Sequence, residues 1–244
     1  MQKACDITEK AFRRALKFTK PGVWEHEIEA EYWHEMIRNR SRGFAYTPII
    51  ASGNNANVLH YTENNQECKE GDLILLDTGA EYANYSSDMT RTIPVSGKFS
   101  DRQKQIYNTV NKVKKEATKW LVPGTIWAEY HKEVGKLMTS ELLDLGLLDK
   151  ADVQNEDPKW PAYKKYFMHG TAHNIGLDTH DYGILTEPMK PNQVFTVEPG
   201  IYLPDEGFGI RLEDDVVIQP EGEPFNLMRN IPIEIEEIED IMNS

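Results

Sequence analysis

Apolar residues recur at helical spacing through the first forty positions. Ile7, Ala11, Phe12 and Ala15 fall on one face of a 3.6-residue period, which predicts a helix over 1–19. Pro21 and Gly22 in "KPGVWE" stop it. A second amphipathic helix follows over 25–40, with Ile28, Tyr32 and Ile37 as its apolar stripe. The pattern then changes to strand signals: "AYTPIIAS" (45–52), "NVLHYT" (57–62) and the buried run "DLILLDTGAEY" (72–82), which Gly71 introduces. "NYSSDMTRTIPV" (84–95) reads as the antiparallel partner of that run. Two further helices are predicted at 101–121 and 126–145, joined by "VPGT", and then a surface loop at 150–166. "QVFTVEPGIYL" (193–203) and "FGIRLEDDVVI" (208–218) return to strands. In "PIEIEEIEDIMN" (232–243), Ile233, Ile235, Ile238 and Ile241 make a terminal amphipathic segment that packs on the body, its acids forming a solvated face. Helices grouped around an antiparallel sheet mean α+β rather than a doubly wound parallel fold.

Composition narrows the function more than the fold. A chain of 244 residues suits one large domain or two small ones and can bury a substantial core. A formal charge of −13 with no basic block disfavours nucleic acid, and bound cations could offset part of it. No apolar run approaches the roughly 20 residues that cross a bilayer, and the N-terminus lacks a signal peptide's apolar block. Two cysteines, Cys5 and Cys68, form no CxxC pair and cannot make a disulfide framework, so a reducing cytoplasm is the expected home.

The candidate chemistry lies in four carboxylates that interrupt apolar strands. Asp77 ends "LILLD", Asp88 lies in "SSDMTRT", Glu198 in "FTVEPG" and Glu213 in "GIRLEDD". Ionised carboxylates sit in such places when something cationic offsets their desolvation. One strand-end Asp usually caps a turn; four cases beside the histidine-rich stretch "MHGTAHNIGLDTHD" (168–181) point to a shared metal site. His169 and His173 are four apart, as in HExxH, but no Glu follows His169 and Gly170 and Gly176 argue against a helix. One imidazole among four carboxylates is too oxygen-rich for a single tetrahedral zinc. It fits two divalent cations roughly 3.5–4 Å apart, manganese first by ligand type, with cobalt, iron and zinc also admitted. His26, His34 and His131 sit in predicted helices without carboxylate partners and read as ordinary surface or satisfied histidines. Asp214 and Asp215 read as either supports of the site or turn residues.

At these residues the sequence resembles the pita-bread metallopeptidases, in their Xaa-Pro aminopeptidase and prolidase branch. The motifs "NVLHY", "LLDTGAEYANYSSDMTRT", "HGTAHNIGLDTHD", "TVEPGIY" and "GIRLEDD" occur in the family's order across nearly the whole chain. The resemblance implies a pita-bread (creatinase/aminopeptidase-like) α+β fold with an antiparallel sheet and flanking helices. It implies Asp77, Asp88, His173, Glu198 and Glu213 as ligands of a dinuclear centre, with His60, His169 and His180 lining the substrate site. Ala172 and Thr179 depart from the family's usual Ser/Gly and Val/Ile, which puts fine substrate preference in doubt. Members of the branch usually carry an N-terminal domain, so 1–244 is expected to be the catalytic domain with that domain absent.

Two such cations would acidify a shared water, making hydroxide available near neutral pH to attack a scissile carbonyl. The resemblance gives Glu198 the role of proton acceptor, and His169 or a metal would face the oxyanion. Arg211 would orient acidic ligands or the substrate carboxylate, or form a supporting salt bridge. The expected reaction is removal of one N-terminal residue from peptides with proline in second position, because the bond before proline offers no N–H for a protease to grip. Peptides are the expected partners, with neither nucleic acid nor membrane, and a homo-oligomer is open. The alternatives are a prolidase acting on dipeptides alone, a metal-free amidinohydrolase of the same fold, and a non-catalytic pita-bread binding module; the last usually lacks ligands, whereas all five are present here.

Overall fold

In the computed structural model, which describes residues 1–244, the two predicted N-terminal helices form as α1 (Gln2–Phe18) and α2 (Glu25–Arg38). They pack on each other, α1 burying Ile7, Ala11, Phe12, Ala15 and Leu16. On α2 the buried face runs through Ile28, Tyr32 and Met36, and Ile37 points outward at 46% exposure. The sequence stripe was therefore one residue out, because Met36 and not Ile37 keeps the i, i+4, i+8 spacing from Ile28.

Short strands follow: β1 (Gly43–Phe44), β2 (Ile49–Ser52), β3 (Leu73–Thr78), β4 (Ala80–Tyr82), β5 (Tyr85–Ser86) and β6 (Met89–Pro94). Helices α3 (Asp101–Lys119), α4 (Trp127–Asp144) and the short α5 (Lys150–Gln154) come next. Strands β7 (Val194–Val197), β8 (Gly200–Leu203), β9 (Phe208–Arg211), β10 (Asp214–Val217) and β11 (Phe225–Asn226) precede α6 (Ile235–Met242). Every strand pair is antiparallel, in sheets ordered β2-β3-β6, β1-β4-β5, β11-β10-β7 and β8-β9. The expected α+β architecture is present. The terminal segment also packs as expected, with Ile235 and Ile238 buried. No helix is long and apolar enough to cross a membrane, and Cys5 and Cys68 are both free and buried.

Two expectations change. "NVLHYT" is not a strand: a 3₁₀ turn covers Gly53–Asn57, and 58–62 is irregular. A buried carboxylate takes the place of a strand ladder there. Glu25, fully buried at the start of α2, accepts hydrogen bonds from Ser52 N and Oγ, Asn55 Nδ2, Tyr61 Oη and Gln66 N. The second change is in 150–166, which contains α5 and a 3₁₀ turn at Ala162–Lys165 rather than loop alone. Asp149 accepts from Ala151 N and Asp152 N, and Asp152 returns the bond to Asp149 N, a capping box legible in the spacing.

Glu25→Ala strands five donors around an apolar gap. It is expected to lower the unfolding free energy by about 3 kcal/mol, read as the urea midpoint at unchanged slope. A loss under about 1 kcal/mol would mean that water replaces the carboxylate without penalty.

The β3–β6 hairpin sets the geometry that matters most. Asp77 pairs opposite Thr90, and Thr78 opposite Met89. Gly79 follows at once, where a Cβ would lie 1.6 Å from the Ser87 carbonyl oxygen. Only glycine lets the two chains approach this closely, and the approach brings Asp88 alongside Asp77.

Candidate metal centre

A cavity of about 570 Å³ opens where β3, β6, β9 and the coil 168–181 meet, and Asp77, Asp88, His173, Glu198 and Glu213 all line it. One ligand atom each from Asp88, His173 and Glu213 falls within 4.8 Å of the others. The remaining two acids adjoin this trio. Glu198 Oε1 is 3.8 Å from His173 Nε2, and Asp77 shares with Asp88 the hydroxyl of Tyr46, which faces their Oδ1 atoms at 2.6 and 2.5 Å.

The histidine-rich coil is not a helix, as the glycines required. Hydrogen bonds to the edge of β7 hold it: Thr196 N donates to His173 O, Ile175 N to Val194 O, and Glu198 N to Thr171 O. His173 Nδ1 donates to the Asn174 carbonyl at 3.0 Å, which leaves Nε2 facing Asp88 Oδ2 at 3.4 Å. That is the tautomer a metal-ligating imidazole requires, fixed by its backbone partner.

Across the site, Glu213 N donates to Thr90 O, and the Thr90 hydroxyl donates to Glu213 Oε2 at 2.6 Å. Arg211 is buried and each of its three guanidinium nitrogens donates a hydrogen bond: Nη2 to Asp77 Oδ2 at 2.6 Å, Nη1 to Tyr202 Oη at 2.8 Å, and Nε to Thr90 Oγ1 at 3.2 Å. Of the readings open for Arg211, the geometry matches orientation of an acidic side chain through a salt bridge.

The three outer histidines differ. His169 Nδ1 donates to Gly170 O at 2.7 Å, and its Nε2 accepts from the Tyr202 hydroxyl at 2.7 Å. Burial first, then the Arg211 charge, hold its imidazole neutral, down to about 3. His60 and His180 line the cavity with no hydrogen bond to the protein, and His180 stands edge-on to His173 with ring centroids 4.3 Å apart. His26 and His34 are on the exposed face of α2. His131, on α4, is half-buried edge-on against Trp127, with the backbone of Gly170 beside it. It is a packing residue rather than a surface one.

Left to the protein's own groups, the site draws in protons. Burial pushes the Glu198 carboxyl up to about 8, against the pull of His173 and Arg211. Burial and the neighbouring carboxylates push Glu213 well up, and Asp88 rises with it. Burial would lower His173, but the hydrogen bond and charge of Asp88 outweigh it and hold the imidazole at about 9. A cluster that recruits protons this way suits divalent cations, which repay the desolvation of several carboxylates at once. The residues fit the group that the sequence pattern implies.

Sequence reasoning missed Tyr46 and Thr90, whose hydroxyls meet the acids, and Tyr202, whose hydroxyl joins Arg211 to His169. Tyr202 carried a faint signal, since it shares a strand face with Gly200 beyond Glu198. Tyr46 carried none: it lies in a loop 31 residues from its first partner.

Residues 1–220 match the model of metallopeptidase family M24. The chain is 40% identical to a Haemophilus influenzae Xaa-Pro aminopeptidase, covering 100% of this chain and 59% of the relative. It is 35% identical to human Xaa-Pro aminopeptidase 3, covering 99% and 49%. Zinc-substituted Escherichia coli aminopeptidase P, solved in complex with product, superimposes with a TM-score of 0.91 at 39% identity, over 100% of this chain and 57% of that one. The chain thus spans less than three fifths of the length of these relatives, and over that span it has the pita-bread fold.

Proposed function

This chain belongs to metallopeptidase family M24, and from that membership we propose that it removes the N-terminal residue from peptides with proline in second position. The observation that carries the proposal is the convergence of Asp77, Asp88, His173, Glu198 and Glu213 on one cavity, with two unengaged imidazoles facing them. Relatives that cover the whole chain and bear the name Xaa-Pro aminopeptidase support it.

Those five residues would hold two divalent cations, manganese being favoured by the oxygen-rich set. When bound, the cations would supply Lewis-acid polarisation of the scissile carbonyl and would acidify a water. Glu198, which faces the cavity beside His169 and His173, would take the proton of the attacking water on its carboxylate. The acidic wall of Asp77 and Asp88 attracts the substrate's α-ammonium group, which limits cleavage to the first residue. His60 and His180 flank the proline ring and offer free ring nitrogens to the carbonyls on either side. Burial and the Arg211 charge hold His169 neutral, and its one N–H, on Nδ1, would turn from the Gly170 carbonyl to a developing oxyanion. Arg211 keeps the Asp77 carboxylate turned into the cavity. The free buried thiols support a reducing, cytoplasmic setting.

The test is hydrolysis of Xaa-Pro-Yaa and Xaa-Pro peptides with added Mn²⁺, with and without chelator. Release of the first residue from the tripeptide, abolished by chelator and restored by metal, is the expected result. Cleavage of the dipeptide alone would replace this reading with a prolidase.

Tyr46→Phe separates ligand support from chemistry. It removes the hydroxyl between Asp77 and Asp88 and leaves the ring in place. Metal affinity is expected to fall about 10- to 100-fold, with full kcat regained at saturating Mn²⁺. Affinity unchanged by titration calorimetry would mean that the cations orient the two acids unaided.

A further inference from the structure

Alternate residues of a strand face opposite ways, so Arg91 and Asp214 point away from the metal centre that Thr90 and Glu213 face. On that far side lies a second cavity of about 440 Å³, between α3, β6, β10 and the segment 223–233. Its floor is buried and charged. Arg91 Nη2 donates to Asp214 Oδ1 at 2.6 Å, Lys114 Nζ pairs with Asp214 Oδ2, and Asn226 Nδ2 donates to that same oxygen at 2.8 Å. Arg91 and Lys114 are 0% and 5% exposed. Two buried cations therefore face one carboxylate, a surplus of positive charge in a place where charge is costly to leave uncompensated.

The rim repeats the sign. On the rim Lys115 pairs with Glu234 at 2.9 Å and Lys119 with Glu116 at 2.7 Å, and with Glu223 also there the five cations around this cavity meet four carboxylates, a net positive site in a chain of net charge −13. Arg229 has no carboxylate partner; it lies over the Phe225 ring and donates to Gln2 and Asn226 O. Asn111 supplies the independent observation. It is 4% exposed, lines the cavity from α3, and its side chain makes no hydrogen bond, with Oδ1 fully buried. A buried amide without a partner is rare and costly, and an amide offers both a donor and an acceptor to a ligand. Met228, Ile231 and Ile233 give the cavity an apolar side.

We propose that this cavity binds a small organic anion, a carboxylate or phosphate ester that also carries a hydroxyl. The anionic group lies among Lys114, Lys115 and Arg229, and the hydroxyl meets Asn111. Occupancy bears on the metal centre. Arg91 Nη1 donates to the carbonyls of Glu213 at 2.6 Å and Thr90 at 2.9 Å, so an anion that draws on Arg91 acts on the backbone of two residues that shape the other site.

Titration calorimetry on the Mn²⁺-loaded chain at constant ionic strength tests this, with glycerol 3-phosphate and malate as separate probes that distinguish phosphate from carboxylate. One saturable site per chain for at least one probe is expected, weakened about tenfold or more (~1.4 kcal/mol) in Asn111→Leu and in Arg229→Glu. Arg229 is exposed, so its variant keeps the test decisive if Asn111→Leu does not fold. The proposal is overturned if neither probe binds saturably. It is equally overturned if affinity is unchanged in Arg229→Glu, since the anion would then be sitting on the metal ions.

Discussion

Glu198→Gln is expected to lower kcat on an Xaa-Pro-Yaa peptide by about 10³-fold while the chain still binds metal. Gln keeps an oxygen at the ligand position but cannot take a proton. The variant therefore removes the proton acceptor and spares most of the coordination. The surroundings make the substitution clean. Glu198 N is fixed to Thr171 O whatever the side chain, and the carboxyl has no hydrogen-bonding partner in the protein whose loss would unfold the strand end. Its carboxylate oxygens lie 3.8 Å from His173 Nε2 and 3.6 Å from His169 Nδ1. Two measurements are needed together: steady-state kinetics at saturating Mn²⁺, and metal content by elemental analysis. Two metals bound with kcat reduced less than about tenfold would show that another group accepts the proton. Lost metal would return Glu198 to an ordinary ligand role.

Arg91→Met is expected to destabilise the fold strongly although the residue faces away from the metal centre. The guanidinium is fully buried and meets four acceptors: Pro232 O at 2.9 Å, Thr90 O, Glu213 O and the Asp214 carboxylate. Methionine fills much of the volume but removes the guanidinium donor from three carbonyls, of which Thr90 O keeps Glu213 N, and leaves Asp214 with Lys114 as its sole cation. Breaking a buried pair on one side costs about 3–5 kcal/mol. Lys114 remains to meet the carboxylate, so the lower end, about 3 kcal/mol, is expected, or about 6–12 °C in Tm for a chain of this length. Arg91→Lys is expected to recover little, because a single ammonium cannot reach four acceptors spread over three segments. A midpoint within 2 °C of the unsubstituted protein, by calorimetry at matched metal load, would show that the residue is replaceable.

Sequence and structure agree most closely where local pattern carries the information. The helical stripe of α1, the run Leu73–Thr78 and its partner Met89–Pro94 are all set by hydrophobic period, which a chain displays residue by residue. The segment 53–62 shows where that logic fails. Its apolar residues suggest a strand, but Glu25, which helical spacing marks only as the start of α2, holds it through the side chains of Asn55 and Tyr61 and the flanking Ser52 N and Gln66 N.

The same division runs through the candidate site. Asp77, Asp88, Glu198 and Glu213 were legible one at a time, because a carboxylate inside an apolar strand is an anomaly that needs no partner to be noticed. Tyr46, Thr90 and Tyr202 were not, because hydroxyls are unremarkable in any strand or loop until their neighbours are known. The distinct states of the three outer histidines were equally hidden. His169 is tied to Tyr202 and Gly170, and His60 and His180 are free, although the sequence presents all three alike. What the chain alone determines here is which residues are costly to bury; what only tertiary structure decides is which of them meet, since the hydrogen bonds that join them span up to 134 residues and leave no local trace.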